Sequence, residues 1–418
     1  AFPAWRDKSF AERAELIKKM SQRLRAKQQE LAELLTREQG KPLAQSIAEI
    51  DRGAAQSDGM VGIEIPIEVL ADDKDKHIEL RYRPLGVVGI ITPWNAPVNL
   101  ALGPLVSALY TGNTVILKPS PYTPLSTLKL GELLRDVFPA GVVNVLAGGD
   151  ALGAWLTEHP KVDKISFTGS VATGKKVLAS AAATLKRVTL ELGGNDPAIV
   201  MDDVDPKAVA KKIFFASFVN SGQVCMAIKR IYAHEKIYSA LCDALVAEAK
   251  KAKVGDGLDP KTELGPIQNK MQYDKVVGII EDTKKRGATF LTGGDIPQGP
   301  GYFLPPTLVT DVPEDSRLVQ EEQFGPIVPI MKFSSLDDAL RRANDTRYGL
   351  SGSVWTSDVT RGAEIAAKLE VGTAWVNQHR ATSAFVPFGG AKESGLGRQY
   401  SALGLKSYME PEVVSVAK

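Results

Sequence analysis

A cysteine that follows a glycine-containing turn is the first candidate for chemistry in this sequence. Cys225 ends the segment NSGQVC (residues 220–225), which follows the apolar stretch IFFASFV. A thiolate is a strong nucleophile, and a turn that runs into the N-terminus of a helix lowers the pKa of a thiol. The hexapeptide alone leaves two interpretations open, a reactive thiol or a small buried residue. Cys242 lies in the amphipathic pattern YSALCDALVAEAKK, which favours a packing role.

Two further polar side chains follow apolar runs. Glu191 begins the motif ELGGND, and a carboxylate followed by glycines can face a cleft and act as a general base. Taken alone, Glu191 is more simply interpreted as a solvated strand end. Asn95, in ITPWNAP, can donate an amide hydrogen bond to a developing oxyanion.

Two segments have the chemistry of a phosphate or ribose site. Lys118, in KPSPYTP, lies at a predicted strand end, where its cation can meet phosphate or ribose hydroxyls. In FTGSVATGKKV (167–177), Ser170 lies between Gly169 and Gly174, and a short loop entering a helix N-terminus is a natural anion site. The segment matches neither G-x-G-x-x-G nor a P-loop, so alone it is a weak signal.

The elements that must position these residues are predicted from hydrophobic patterns. Residues 7–38 have nearly helical period with a stop at 40–42, and a second helix is predicted from Leu43 to about Asp58. Short apolar runs then alternate with helical patterns, which predicts parallel α/β sheets. The runs are GVVGIIT, TVILKP, VVNVLAG, KISFTG and RVTLELGG, then PAIVMDD, KRIYAH, ATFLTGG, SGSVWT and GTAWVN. HIELRYRP (77–84) and the terminal SYMEPEVVSVAK predict strands outside the main pattern.

Composition excludes several classes of protein. With 418 residues, two or more domains are expected, and 44% hydrophobic with 24% charged residues indicates a globular protein. The 51 Lys and Arg nearly balance the 49 Asp and Glu, so no basic field for nucleic acid is expected. No apolar stretch is long enough for a membrane span, and two cysteines favour a reducing, cytoplasmic setting. No metal site is predicted.

Seven motifs in a fixed order resemble the aldehyde dehydrogenase superfamily. They are TPWN, KPS, FTGS, ELGG, GQVC, EEQFGP and PFGG, and the resemblance covers essentially the whole chain. It implies NAD- or NADP-dependent oxidation of a small-molecule aldehyde to a carboxylic acid by the hydrolytic class of the family. A CoA-acylating relative usually lacks the glutamate found here at 191, and a non-catalytic relative would not need Cys225, Glu191 and Asn95 intact. These two alternatives are therefore disfavoured.

The resemblance also implies an architecture with two Rossmann-like α/β domains and a small β oligomerisation element. The cofactor domain is expected at 1–65 and 85–193, and the catalytic domain at 194–393. Strands at 66–84 and 406–418 would pair with another subunit in a homodimer or homotetramer, and 394–405 would return to the cofactor domain. The opening part of the family's cofactor domain is expected to be absent from this chain.

Site residues are carried over by the resemblance. Cys225 is expected to attack the aldehyde, Asn95 and the backbone N–H of Cys225 to hold the oxyanion, and Glu191 to activate the water that hydrolyses the thioester. The cofactor is expected to be held by Trp94, Lys118, Ser120, Gly169, Ser170, Glu322 and Phe324.

Three positions depart from the family pattern. Pro121 stands where many NAD-preferring members have a glutamate that repels a 2′-phosphate, so NADP is expected to be accepted. Gln399 and Pro104 stand where a glutamate and a lysine of a proton exit route are common. Such a route would have to use other groups or water in this chain.

The resemblance places a substrate funnel around Asn99, Gly103, Phe215, Val224, Met226, His379 and Arg380. Asn99, His379 and Arg380 are expected to be able to accept a polar or anionic tail of the aldehyde, and Gly103 to leave room for a ring. For Arg380, a salt bridge at the rim of the funnel is the favoured interpretation.

Overall fold

The computed structural model describes all 418 residues as two parallel sheets, a smaller antiparallel sheet and fifteen α-helices. The helices are α1 (Phe2–Arg6), α2 (Phe10–Ala26), α3 (Gln28–Gln39), α4 (Leu43–Met60), α5 (Asn99–Tyr110), α6 (Pro124–Leu134), α7 (Asp150–Glu158), α8 (Val171–Ala182), α9 (Pro206–Phe218), α10 (Tyr238–Lys251), α11 (Lys270–Lys285), α12 (Arg317–Gln320), α13 (Leu336–Asn344), α14 (Val359–Ala366) and α15 (Ser401–Lys406).

The strands number eighteen in chain order. They are β1 (Glu68–Asp72), β2 (Lys76–Pro84), β3 (Val87–Ile91), β4 (Thr114–Lys118), β5 (Val143–Val145), β6 (Lys164–Thr168), β7 (Arg187–Glu191), β8 (Asp196–Val200), β9 (Ile228–His234), β10 (Thr289–Thr292), β11 (Thr307–Thr310), β12 (Ile327–Phe333), β13 (Tyr348–Gly349), β14 (Ser351–Trp355), β15 (Thr373–Val376), β16 (Ala391–Lys392), β17 (Gly395–Leu396) and β18 (Met409–Ala417).

The first parallel sheet has the order β5-β4-β3-β6-β7, and β17 adds antiparallel to β7. The chain moves outward from β3 to β5 and then returns to the other side of β3 with β6. The carboxyl ends of β3 and β6 therefore flank a topological switch point, where open α/β sheets bind their ligands. All five apolar runs predicted here are confirmed as strands.

Helices α2 to α4 pack near this sheet and close its core. Ile17, Leu24, Leu31 and Leu35 share one hydrophobic cluster with strand residues such as Val88. The pattern at 7–38 forms two helices, because the chain breaks at Lys27, whose φ of −113° is not helical.

The second parallel sheet has the order β11-β12-β9-β8-β14-β15, with β10 antiparallel at one edge. The five runs predicted in this half of the chain are strands, whereas β11 and β12 were not predicted. Pro329 interrupts the apolar run of β12 and weakens its strand signal. The isolated pair β13 and β16 is antiparallel.

The third sheet consists of β1, β2 and β18. Strand β18 pairs antiparallel with β2 from Met409 opposite Pro84 to Ala417 opposite Lys76. Both strands predicted outside the main pattern are thus confirmed, and they pair with each other. The domain boundaries at residues 65, 85, 193 and 393 stay a prediction. No helix combines the length and the apolar character needed to cross a bilayer.

Candidate active site

Three overlapping cavities form one continuous cleft, and Cys225 lines two of them. The long groove, about 520 Å³, lies at the carboxyl ends of β3, β4 and β6. The central cleft, about 170 Å³, shares Trp94 and Ser170 with the long groove. The funnel, about 120 Å³, shares Asn95 and Cys225 with the central cleft. The predicted catalytic and cofactor residues all line this cleft.

The segment NSGQVC has a strained backbone. A single 3₁₀ turn, Val219–Gly222, follows helix α9. Within it Asn220, Ser221 and Gly222 have φ values of 53°, 54° and 73°, a left-handed region that residues with a Cβ rarely adopt. Gly222 is required, because an added Cβ would collide with the carbonyl oxygen of Gly325. Strain of this kind persists only where the surrounding structure fixes it.

That surrounding structure is a buried polar network, which we call the floor of the funnel: Lys41, Glu49, Asn95, Asn220 and Gln223. The Lys41 ammonium donates to Glu49 Oε2 at 2.6 Å and to the Asn95 carbonyl at 2.7 Å. Glu49 Oε1 accepts from two backbone N–H groups at the start of α5, at 3.0 and 3.1 Å. The Asn220 amide donates to the Asn95 carbonyl at 3.0 Å, which ties the strained turn to the strand β3 side of the cleft.

Asn95 is held with one amide proton free. Its side chain is 4% exposed and donates to the carbonyl of Gln223 at 3.0 Å. A primary amide has two N–H donors, so one remains to face the cleft beside Cys225. This arrangement can stabilise an oxyanion that forms next to the sulfur.

The surroundings of Cys225 correct one prediction. The segment leads into strand β9 and not into the N-terminus of a helix. Burial raises the pKa of the Cys225 thiol to about 12, and the positive charge of Lys229 only partly opposes this shift. The thiol therefore lacks the helix that was expected to lower its pKa, and a base is needed to form the thiolate.

Lys229 was missed by the sequence reasoning. Its ammonium is 3% exposed and donates to the carbonyls of Cys225 at 2.6 Å and Val224 at 2.9 Å. It also lies 3.8 Å from a carboxylate oxygen of Glu322. Two consecutive cations, Lys229 and Arg230, near the start of a predicted buried strand were the available signal. The sequence pattern places Lys41 only in the stop signal of a helix, and it predicts no role for Glu49.

Glu191 lies at the end of β7 in the central cleft. Both of its carboxyl oxygens are buried and have no hydrogen-bond partner. Burial raises the pKa of Glu191 well above its ordinary value, and the charge of Arg398 opposes this. A carboxyl group with a raised pKa that lines the same cleft as a thiol is a candidate acid–base group.

The residues that line the long groove have the chemistry of a dinucleotide site. Lys118 is 3% exposed, and its ammonium has a single acceptor, the Pro119 carbonyl at 3.3 Å, so it can bind ribose hydroxyls. Ser170 caps α8 by accepting from the Thr173 N–H at 3.2 Å, and the free N–H groups of this helix start suit a pyrophosphate. Ser120 and Gly169 line the same groove.

Glu322 and Phe324 line the central cleft between the groove and Cys225. Glu322 accepts from the Gly194 N–H at 3.0 Å, and an added Cβ on Gly193 would collide with its carboxylate oxygen. Phe324 meets Trp94 edge-to-face with ring centroids 5.3 Å apart. A carboxylate and an aromatic wall at this point fit a ribose and a flat ring.

The predicted funnel residues separate into two groups. Asn99, Phe215, Val224, Met226 and Arg380 line the funnel. Gly103 does not, because the space beside it is filled by the phenol of Tyr400, 3.1 Å from an added Cβ. The expected room for a ring is therefore absent.

His379 also does not line the funnel. Its Nε2 lies 3.1 Å from the Met226 carbonyl oxygen and 3.7 Å from Asp196 Oδ2, so it packs beneath the cysteine loop. Burial lowers the pKa of His379. The salt bridge favoured for Arg380 is wrong, since the guanidinium forms no ion pair and lies over the ring of Phe215 at 5.8 Å.

The structure also shows where the three residues that depart from the family pattern lie. Gln399 is buried, its Nε2 donates to Ser166 Oγ at 3.4 Å, and its Oε1 has no partner. Pro104 lies inside α5. Pro121 lies in the wall of the long groove, close to Lys118.

The fold and cleft define an α/β enzyme with a dinucleotide groove that leads to the thiol of Cys225. Comparison with known proteins identifies the family. The model of the aldehyde dehydrogenase family matches residues 1–414. An aldehyde dehydrogenase of a Fusarium species is 40% identical over 420 residues, which cover 100% of this chain and 89% of that protein.

Solved structures agree. The NAD⁺ complex of an aldehyde dehydrogenase from Bacillus cereus is similar with a TM-score of 0.96 at 38% identity, over 99% of this chain and 85% of that one. An NADP-dependent enzyme from E. coli gives a TM-score of 0.97 at 36% identity, over 100% and 88%. This chain belongs to the aldehyde dehydrogenase family and oxidises aldehydes with NAD or NADP. The resemblance, the fold class and the enzyme class predicted from the sequence are confirmed.

Proposed function

We propose that oxidation proceeds through a covalent intermediate on Cys225 that water then hydrolyses. The observation that carries this proposal is the convergence of Cys225, Asn95 and Glu191 on one cleft at the end of the dinucleotide groove. The chemistry that a bound NAD or NADP supplies is acceptance of a hydride. The residues of the long groove and central cleft would hold it, with Lys118 and Glu322 toward the two riboses.

The chain's own residues account for the remaining steps. Glu191 takes the proton from the Cys225 thiol, and the sulfur attacks the aldehyde carbon. The oxyanion then accepts hydrogen bonds from the free N–H of Asn95 and from the backbone N–H of Cys225. After oxidation, a thioester remains on the sulfur. Glu191, which has by then released its first proton to solvent, takes a proton from water, and the water oxygen attacks the thioester carbon. The carbon–sulfur bond breaks, the carboxylic acid leaves, and the Cys225 thiolate takes this proton back from Glu191 as the thiol reforms.

Two substitutions test this proposal. Cys225→Ser is expected to abolish turnover, by about 10⁴-fold or more, while cofactor binding measured by fluorescence is retained. Glu191→Gln is expected to slow both the deprotonation of the Cys225 thiol and the hydrolysis of the thioester. At alkaline pH, where the thiol ionises without a base, hydrolysis should still be blocked, so intact-mass spectrometry should find a thioester adduct on Cys225. Full steady-state turnover of either variant would remove that residue from the mechanism. A product that forms only when coenzyme A is added would instead support the acyl-transferring alternative.

We further propose that NADP is accepted. Pro121 presents no carboxylate to a 2′-phosphate, and Lys118 and Lys176 line the groove together with Asp150 and Glu158. Pro121→Glu is expected to lower kcat/KM for NADP relative to NAD by about tenfold, as for one unscreened like-charge contact. An unchanged ratio would show that position 121 does not face the phosphate.

Association into a dimer or tetramer through β1, β2 and β18 is also proposed. Val69, Leu70, Val413 and Val416 on these strands are each more than half exposed, at 58%, 56%, 60% and 51%. Light scattering of the native protein and of Val413→Lys tests it, since a lysine at an interface should shift the mass toward the monomer.

A further inference from the structure

The rim of the funnel contains a guanidinium without a partner. We call Arg52, Phe215 and Arg380 the rim. Arg380 makes no hydrogen bond and no ion pair, and its Nε is buried and unsatisfied. Buried polar atoms almost always have partners, so this one calls for an explanation.

Arg380 lines the funnel from a loop with a left-handed backbone. Its φ of 65° lies in the left-handed region, and Asn377, three residues earlier, has a φ of 55°. Neighbouring His379 is fixed against the Met226 carbonyl at 3.1 Å, which holds the loop beside Cys225. The guanidinium lies over Phe215 at 5.8 Å, so one face is covered while its N–H edge stays free.

No acidic side chain of the funnel can serve this cation. Glu49 is the one carboxylate that lines the funnel, and it is saturated by Lys41 and two backbone N–H groups. Arg52 also lines the funnel and is not in an ion pair, so it adds like charge and does not compensate. Burial together with Arg52 lowers the pKa of Arg380 to about 10, which still leaves it protonated at neutral pH.

We propose that the substrate is an aldehyde with a carboxylate at its far end, and that Arg380 receives this carboxylate. The proposal rests on the proposed function, which places the aldehyde carbon at Cys225. A guanidinium edge binds a carboxylate through two parallel N–H···O bonds, and the stacked phenyl ring of Phe215 keeps that edge oriented. Asn99 lines the same wall, and its side-chain NH₂ group is the part of the amide that can donate to a carboxylate.

The test compares substrates that differ only in charge. The pairs are 4-carboxybenzaldehyde with methyl 4-formylbenzoate, and succinic semialdehyde with methyl 4-oxobutanoate. The native enzyme is expected to favour an acid over its ester by at least about 30-fold in kcat/KM, the effect of one desolvated charge pair. Because the funnel is small, one pair can fit better than the other.

Variants assign the effect to Arg380. R380M keeps the packing on Phe215 and is expected to lose the preference for the acid, mainly through a higher KM for the acid, so that acid and ester are oxidised with similar kcat/KM. R380K keeps the charge without the planar fork and should be intermediate. R361M, an exposed arginine on α14 outside the cleft, is the matched control and should match the native enzyme.

The outcomes separate this inference from the proposed function. If esters and acids are oxidised equally by the native enzyme, or R380M affects both alike, the carboxylate site is wrong and the oxidation stands. If no aldehyde is oxidised although cofactor binds, the proposed function fails. In that case protection of Cys225 from iodoacetamide by terephthalate tests Arg380 directly, and protection that R380M does not diminish would overturn the inference.

Discussion

The floor and the rim of the funnel differ in how their charges are compensated. At the floor, Lys41 and Glu49 form an ion pair at 2.6 Å, and the backbone carbonyl of Asn95 accepts hydrogen bonds from Lys41 and Asn220. At the rim, the guanidinium of Arg380 has no partner within the chain. The floor is thus complete without a ligand, whereas the rim is completed only by what binds.

This difference reflects the different functions of the floor and the rim. The floor must hold a strained turn and an oxyanion donor in place before substrate arrives, and a preorganised polar network does this without reorganisation. The rim must choose among aldehydes, and an unpaired buried charge discriminates strongly because a substrate that leaves it unpaired is rejected.

The largest effect is expected for Lys41→Met. Removing the ammonium leaves Glu49 buried without a countercharge, which should lower the free energy of unfolding by about 3–5 kcal/mol. Urea unfolding followed by circular dichroism measures it. Arg380→Met is the matched control at the rim and should not destabilise, because no partner is orphaned. Equal losses in both variants would break the comparison.

Asn95→Ala should lower kcat by about 10²–10³-fold, as expected for the loss of one oxyanion donor. The backbone carbonyl that accepts from Lys41 and Asn220 is kept, so the floor should remain folded. Steady-state kinetics with a fixed aldehyde measures the change, and an unchanged melting temperature controls for structure. A defect confined to KM would argue that Asn95 binds the substrate without stabilising the oxyanion.

The desolvation of the Cys225 thiol is measurable through its rate of alkylation. Its thiol pKa is raised from 9.0 to about 12 by burial, so the thiol is protonated at neutral pH and the thiolate increases up to about pH 12. In cofactor-free protein, alkylation by iodoacetamide should therefore rise about tenfold per pH unit between pH 8 and 11. Mass spectrometry separates Cys225 from Cys242. A plateau near pH 9 would show that the thiol is solvated.

The smallest effect is expected for Phe215→Ala. The ring is 59% exposed, so its removal should change the free energy of unfolding by no more than about 0.5 kcal/mol. Because the ring orients Arg380, KM for a carboxylate-bearing aldehyde should still rise. Thermal unfolding and kinetics on the same preparation check both expectations, and a large loss of stability would make Phe215 part of the core.

The sequence alone determined the family and the alternating α/β pattern, and it predicted the residues Cys225, Glu191 and Asn95, which line one cleft in the structure. Motif order and hydrophobic periodicity are properties of the linear sequence, so a predicted strand end followed by glycine can be recognised without knowledge of the fold. The same local reading predicted the strands at 77–84 and at the C-terminus, which pair with each other.

Tertiary structure alone decided which charges are compensated. Lys41 and Glu49 are eight residues apart in the sequence, and they form an ion pair because the turn before α4 brings them together. Lys229 donates a hydrogen bond to the Cys225 carbonyl. Gly103 looked open, yet Tyr400 from 297 positions later fills the space beside it, and Arg380 was expected to find a salt bridge that no neighbour supplies. Burial and pairing depend on groups brought together from distant segments, and a linear pattern does not contain those distances.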